Sequence, residues 1–210
     1  MDEGAPPVDA SLIARLRTDP ARAPETLALA AAARHAPAAR EWVGQQRAKG
    51  RTDPGELAQR ARRNHGRLAR VEGAASGLGG IATVLPDLVA VAWIQSRMVF
   101  FIAGAHGYDP GDPMRPAELL VLQDVFDEPL AARAALDGVG SSLAGAYVDQ
   151  RLRKGNDEAL VSRLVRMVAK KGGQRLAGRA IPGVASLFSA VQNESDTKAL
   201  GDDAIRFYGG

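Results

Sequence analysis

Few residues in this chain are able to do chemistry. There is no cysteine, which excludes a thiolate nucleophile, a zinc ribbon and a thiolate-held iron–sulfur cluster. The three histidines, His35, His65 and His106, stand far apart, and none forms the H-E-x-x-H pair that holds zinc on one helix face. Gly140-Ser141-Ser142-Leu143-Ala144 lacks the Gly-x-Ser-x-Gly spacing and the strand–turn–helix setting of a nucleophile elbow. Gly77-x-Gly79-x-x-Ala82 fits a loose dinucleotide fingerprint, but a charged helical pattern precedes it where a strand is required. The expectation is a non-enzyme: catalytic residues none, metal ligands none, cofactors none.

The remaining candidates are charges. Arg60, Arg62, Arg63 and Arg67 crowd one helical stretch, and Arg163, Arg166, Lys170 and Lys171 crowd another. Basic helices of this kind meet anionic lipid or an acidic partner. Nucleic acid is not expected, because no aromatic residues for base stacking interleave with the arginines. Asp87 and Arg97 are lone charges inside an apolar tract. At ten residues apart they project about 80° apart and lie about 15 Å apart along a helix, so they do not pair with one another. Each is expected to be a buried polar anchor or a ligand contact. Asn193, ahead of Glu194-Ser195-Asp196, reads as a helix break followed by a cap, or as a ligand contact. Trp93, Phe100 and Phe101, with Met98, make a bulky patch suited to core packing or to insertion into an acyl layer.

The net charge of +3 conceals an asymmetry. Residues 1–70 carry +5, residues 71–150 carry −7, and residues 151–210 carry +5. Two basic ends therefore flank an acidic, very apolar middle. Apolar residues make up 46% and charged residues 24% of the chain, a composition that folds rather than staying disordered. The acidic N-terminus does not resemble a secretory leader, so a cytoplasmic location is expected, peripheral on the inner face of the cell membrane if lipid is the partner. The apolar tract over 78–105 is long enough to span a bilayer, but Pro86, Asp87, Gln95 and Arg97 interrupt it. A charge at mid-bilayer costs at least roughly 2.5–3.5 kcal/mol, which disfavours a lone spanning helix. A buried or conditionally inserting hairpin stays open.

The elements that must position these residues are all helical. No run alternates in the strand pattern. The chain reads as an all-α multi-helix bundle, with a nearly apolar central helix or helical hairpin and an N-terminal helical arm. Residues 1–55 form that arm, alanine-rich and expected to break at its prolines, Pro37 among them, and to be partly flexible. Residues 56–210 form the domain. Asp53-Pro54 supplies an N-cap and a first-turn proline for the basic helix that follows. Residues 81–104 read as the buried central helix. Residues 130–136 and 141–152 read as two helical pieces around Gly138 and Gly140. From Asn156, Leu160, Val161, Leu164, Val165 and Val168 make an i, i+3, i+4 stripe opposite Arg163 and Arg166.

Two stretches carry a resemblance. GLGGIATVLPDLVAVAWIQSRMVFFIAGAHGYDP, over 77–110, joins a small-residue entry, a Leu-Pro-Asp step, an apolar helix with one arginine and a Gly-Tyr-Asp-Pro exit. GRAIPGVASLFSAVQNESDTKALGDDAIRFYGG, over 178–210, joins an Ile-Pro step, a small-residue helix, Asn193 and a terminal Phe207-Tyr208. Together they resemble the EcsC family from about residue 58 to the C-terminus. Ala185-Ser186 departs from the Gly-Ala pair the family tends to carry. The resemblance implies an α-helical domain linked to membrane processes and no agreed catalysis. Charge and resemblance lead to one expectation, a peripheral lipid-binding helical protein. The alternative is a soluble interaction module or regulator whose protein partner is, for example, a membrane transporter.

Overall fold

The computed structural model describes residues 8–75, 81–143, 156–168 and 190–210, without the side chains of 71–75, 81–84, 139–143, 156–159 and 190–193. Among the described residues there are eight α-helices: α1 (Ala10–Thr18), α2 (Ala23–Ala48), α3 (Pro54–Ala75), α4 (Ile81–Ala105), α5 (Arg115–Leu122), α6 (Pro129–Leu143), α7 (Asn156–Val168) and α8 (Ala190–Gly209). A 3-10 turn, Pro20–Arg22, links α1 to α2, and no strand occurs among the described residues.

α4 is the axis of the bundle. α2, α3, α7 and α8 all pack on it, and α3 and α8 form the closest pair around it. Its apolar residues explain the position: Leu88, Val89, Ile94, Met98, Phe100 and Ile102 are all buried. Burying each large side chain contributes roughly 1.5–3 kcal/mol. The segment Leu85–Ala105 passes the length and hydropathy test for a membrane span, yet 89% of its 18-residue apolar window is buried inside the bundle. Its two interior polar residues both donate hydrogen bonds, while the buried Gln95 Oε1 is left without a partner. Ser96 donates to the Ala92 carbonyl at 2.7 Å, and Gln95 donates to the Val168 carbonyl (3.2 Å) and the Thr197 hydroxyl (3.3 Å), tying α4 to α7 and α8.

Three expected boundaries differ. α2 does not break at Pro37; it continues for 26 residues through it. Pro37 lies on the exposed face together with Ala33, whose carbonyl loses its helical donor where the chain borders solvent. Ala31, His35, Ala36, Ala39 and Val43 are buried on the other face, on both sides of the proline, and the helix packs against α4 and α5. The arm thus contributes a core helix. α6 continues through Gly138 and Gly140 as one helix. The helix break near Asn193 is absent as well: α8 runs from Ala190 through Glu194, whose carboxylate accepts from Lys198 Nζ at 2.6 Å one turn on. The expected start of α3 is present, with Asp53 Oδ1 accepting the Glu56 N–H at 2.6 Å.

Candidate functional site

α3 presents the main basic surface. Arg60, Arg63, Arg67 and Arg70 recur at i, i+3, i+7 and i+10, and at about 100° per residue they share an arc of roughly 80°. Arg63, Arg67 and Arg70 are exposed and Arg60 is half-buried, while the opposite face buries Leu57, Ala58, Ala61, His65 and Ala69. The helix is amphipathic with arginine as its solvent face.

Arg62 is not on that stripe. It turns toward α8, where Nη2 meets Asp202 Oδ2 at 2.6 Å and Nε donates to the Lys198 carbonyl at 3.1 Å. Gly201 makes room for it: a Cβ there would stand 2.8 Å from Arg62 Cγ and 3.1 Å from Met98 Sδ. Arg62 is therefore a clasp between α3 and α8, not a free headgroup ligand as the sequence suggested. Arg70 reaches Glu194 at 3.5 Å but keeps most of its surface in water. The acids that meet Arg62 and Arg70, Asp202 and Glu194, both come from α8. Between the two helices, Arg62, Ser195, Lys198, Asp202 and Arg206 line an open groove of about 390 Å³.

α7 repeats the pattern on a smaller scale. Leu160, Leu164, Met167 and Val168 are buried, and Arg163 and Arg166 are exposed opposite them. Lys170 and Lys171 lie outside the described residues, as does the side chain of Asn193.

The lone charges of α4 are less buried than expected. Asp87 and Arg97 are both half-buried, and Pro86 beside Asp87 is exposed. Pro86, Ala90 and Arg97 share one strip of the helix and, with Asp87, are its described residues that are not fully buried. The Arg97 guanidinium carbon sits 4.9 Å from the Phe101 ring centre. Trp93, Phe100 and Phe101 are 6%, 1% and 3% exposed, so the patch packs the core rather than facing an acyl layer.

Two clusters were not legible beforehand. His35 and His65 are buried beside Arg97, whereas isolated histidines with no motif gave no signal beyond surface or packing. The second cluster joins the two stretches that carry the resemblance. Tyr108 from the turn after α4 and Tyr208 near the C-terminus both lie against Arg115, at 5.1 and 5.6 Å from its guanidinium carbon. Arg115 pairs with Glu118, and the Tyr208 hydroxyl donates to Glu118 at 2.7 Å. Burial raises the Glu118 carboxyl above its ordinary value, against the opposing pull of Tyr208 and Arg115. Burial and the Glu118 charge keep the Tyr208 phenol protonated far beyond the usual range. Asp109 next door accepts from Arg40 of α2 at 2.8 Å, and Gly111 leaves space for that arginine, since a Cβ would fall 1.9 Å from Nη2. Turn, C-terminus and α2 are thus fastened at one end of the bundle. Every described member of this knot is held in a structural pair, and no group of three or more His, Asp or Glu suited to a metal ion occurs among the described residues.

The class these features define is an all-α bundle around one buried apolar helix, with arginine on its outer helices. The chain belongs to the EcsC protein family, whose family model matches residues 52–209. That match begins just before α3, so α1 and α2 lie outside it while α2 packs on α4. No curated protein and no solved structure matches the chain at a significant level.

Proposed function

We propose that the protein acts by binding, not catalysis, and docks reversibly on anionic membrane surfaces from the cytoplasmic side. The observation that carries this reading is the α3 stripe of Arg60, Arg63, Arg67 and Arg70, with Arg163 and Arg166 on α7 as a second basic face. Each cation held near an anionic leaflet contributes roughly 1 kcal/mol, so the stripe alone supplies several kcal/mol before the partial claim of Glu194 on Arg70. α4 is enclosed, so among the described residues no long apolar helix is left to enter the bilayer. Binding is then electrostatic and ends when salt shortens the screening length below about 10 Å. The test is sedimentation with phosphatidylserine-containing and with purely zwitterionic vesicles, across a salt series. Binding to the first alone, released by moderate salt, supports the proposal; equal binding to both, or none, removes it. A protein partner is the second reading, supported by Tyr108 and Phe207, which are 44% and 43% exposed on either side of Tyr208.

A further inference from the structure

α4 carries Trp93, Arg97 and Phe101 at i, i+4 and i+8, a single stripe along the helix. α2 and α3 close over it. His35 of α2 stands edge-on to Trp93 with ring centres 4.5 Å apart, and Trp42, two turns on, meets Phe101 at 5.2 Å. His65 of α3 also stands edge-on to Phe101, at 5.1 Å. The two imidazoles thus sit on the aromatic rings that bracket Arg97, one from each covering helix. They are 1% and 3% exposed. His65 Nδ1 donates to the Ala61 carbonyl at 2.7 Å, which fixes its neutral tautomer with a bare Nε2. We infer that His35 and His65 form a proton-operated latch on the central helix: α2 and α3 close on the Arg97 stripe only while both imidazoles are neutral, and acid releases α4.

The described charges that act on the two imidazoles, Arg97 foremost, lower both. His35 faces Arg97 from α4, His65 from α3 and Arg34 beside it on α2; His65 faces Arg97. Burial first, and the Arg97 charge with it, hold His35 down to about 3 and His65 down to about 4, the latter against the pull of the Ala61 carbonyl. A released histidine returns to a pKa near 6.5. Between about pH 6.5 and 4 the open state therefore takes up protons that the closed state refuses. Closure is favoured above that window and lost as pH falls through it. Each histidine shifts the opening equilibrium by up to about tenfold per pH unit, and the pair by up to about 100-fold. The latch does not depend on lipid binding by α3, and it operates in solution.

Hydrogen exchange of the full chain between pH 7 and 4.5, corrected for intrinsic rates, reads opening over residues 85–105. The wild type should open with the steepness just given. His35→Leu and His65→Leu should each remove up to about tenfold per pH unit, and the double variant should remove both contributions. Unchanged steepness in folded variants overturns the latch. Should the variants not fold, the histidine nitrogen spectra of the wild type decide the matter. Both imidazoles neutral at pH 5 in the folded protein is the expected result, and either one titrating near pH 6.5 overturns it.

Discussion

Arg62 and Arg63 are neighbours with the same side chain and different work. Arg62 loses a 2.6 Å carboxylate partner and a carbonyl acceptor when truncated. Charge-assisted bonds of this kind are worth roughly 1.5–3 kcal/mol, reduced here because Asp202 is partly exposed. Arg62→Ala should therefore cost about 1–2 kcal/mol of stability by urea unfolding, and Arg63→Ala within about 0.5 kcal/mol, as for an ordinary surface change. The same logic applies at the far end of the bundle. Tyr208→Phe removes one donor from the half-buried Glu118 carboxylate and should cost about 1 kcal/mol, read as a lower melting temperature. The arginine cluster was visible in the sequence, but which arginine turns inward was not. That depends on Asp202, 140 positions away, and spacing along α3 alone cannot report a partner on α8. The Tyr108–Arg115–Tyr208 knot was hidden for the same reason, although its two tyrosines sit in the very stretches that carried the family resemblance.

At the scale of elements, local signals succeeded where the chain's own period decided the outcome. Asp53-Pro54 starts α3 as a cap should, and the apolar stripe of α7 is buried with Arg163 and Arg166 opposite it. They failed where tertiary packing outweighed a breaker. Pro37 forfeits a helix bond, yet the alanine face of α2 packs continuously across it. Pro37→Ala should restore that bond on an exposed face. Interior proline costs roughly 3 kcal/mol and its loss frees the unfolded chain by under about 1 kcal/mol, so a net gain of about 1–2 kcal/mol is expected in thermal unfolding. An unchanged or lower melting temperature would mean that α2 is already bent to suit its proline. Asn193 misled in the same way: its polar run reads as a cap, but Glu194–Lys198 pairing and the buried Asp196 and Thr197 carry α8 straight through.

Among the described residues the molecule as a whole turns the arginine stripe of α3 and the arginines of α7 outward and the apolar α4 inward. The all-α class and the central place of α4 followed from composition and periodicity, because a helix apolar on nearly every side has nowhere else to go in water. How the charges are shared could not be foreseen, since α8 neutralises part of α3 and leaves one arginine stripe uncovered. That stripe is the central claim, and a matched pair of variants tests it most directly. Arg60→Gln/Arg63→Gln/Arg67→Gln removes three positive charges from the stripe; Arg34→Gln/Arg47→Gln/Lys49→Gln removes three from the exposed face and end of α2. Flotation with anionic vesicles at low salt should lose the first variant, at roughly 1 kcal/mol or about fivefold in affinity per arginine, and keep the second near wild type. Equal losses in both would show that net charge, not the α3 stripe, holds the protein to the surface, and no loss in either would contradict the claim outright.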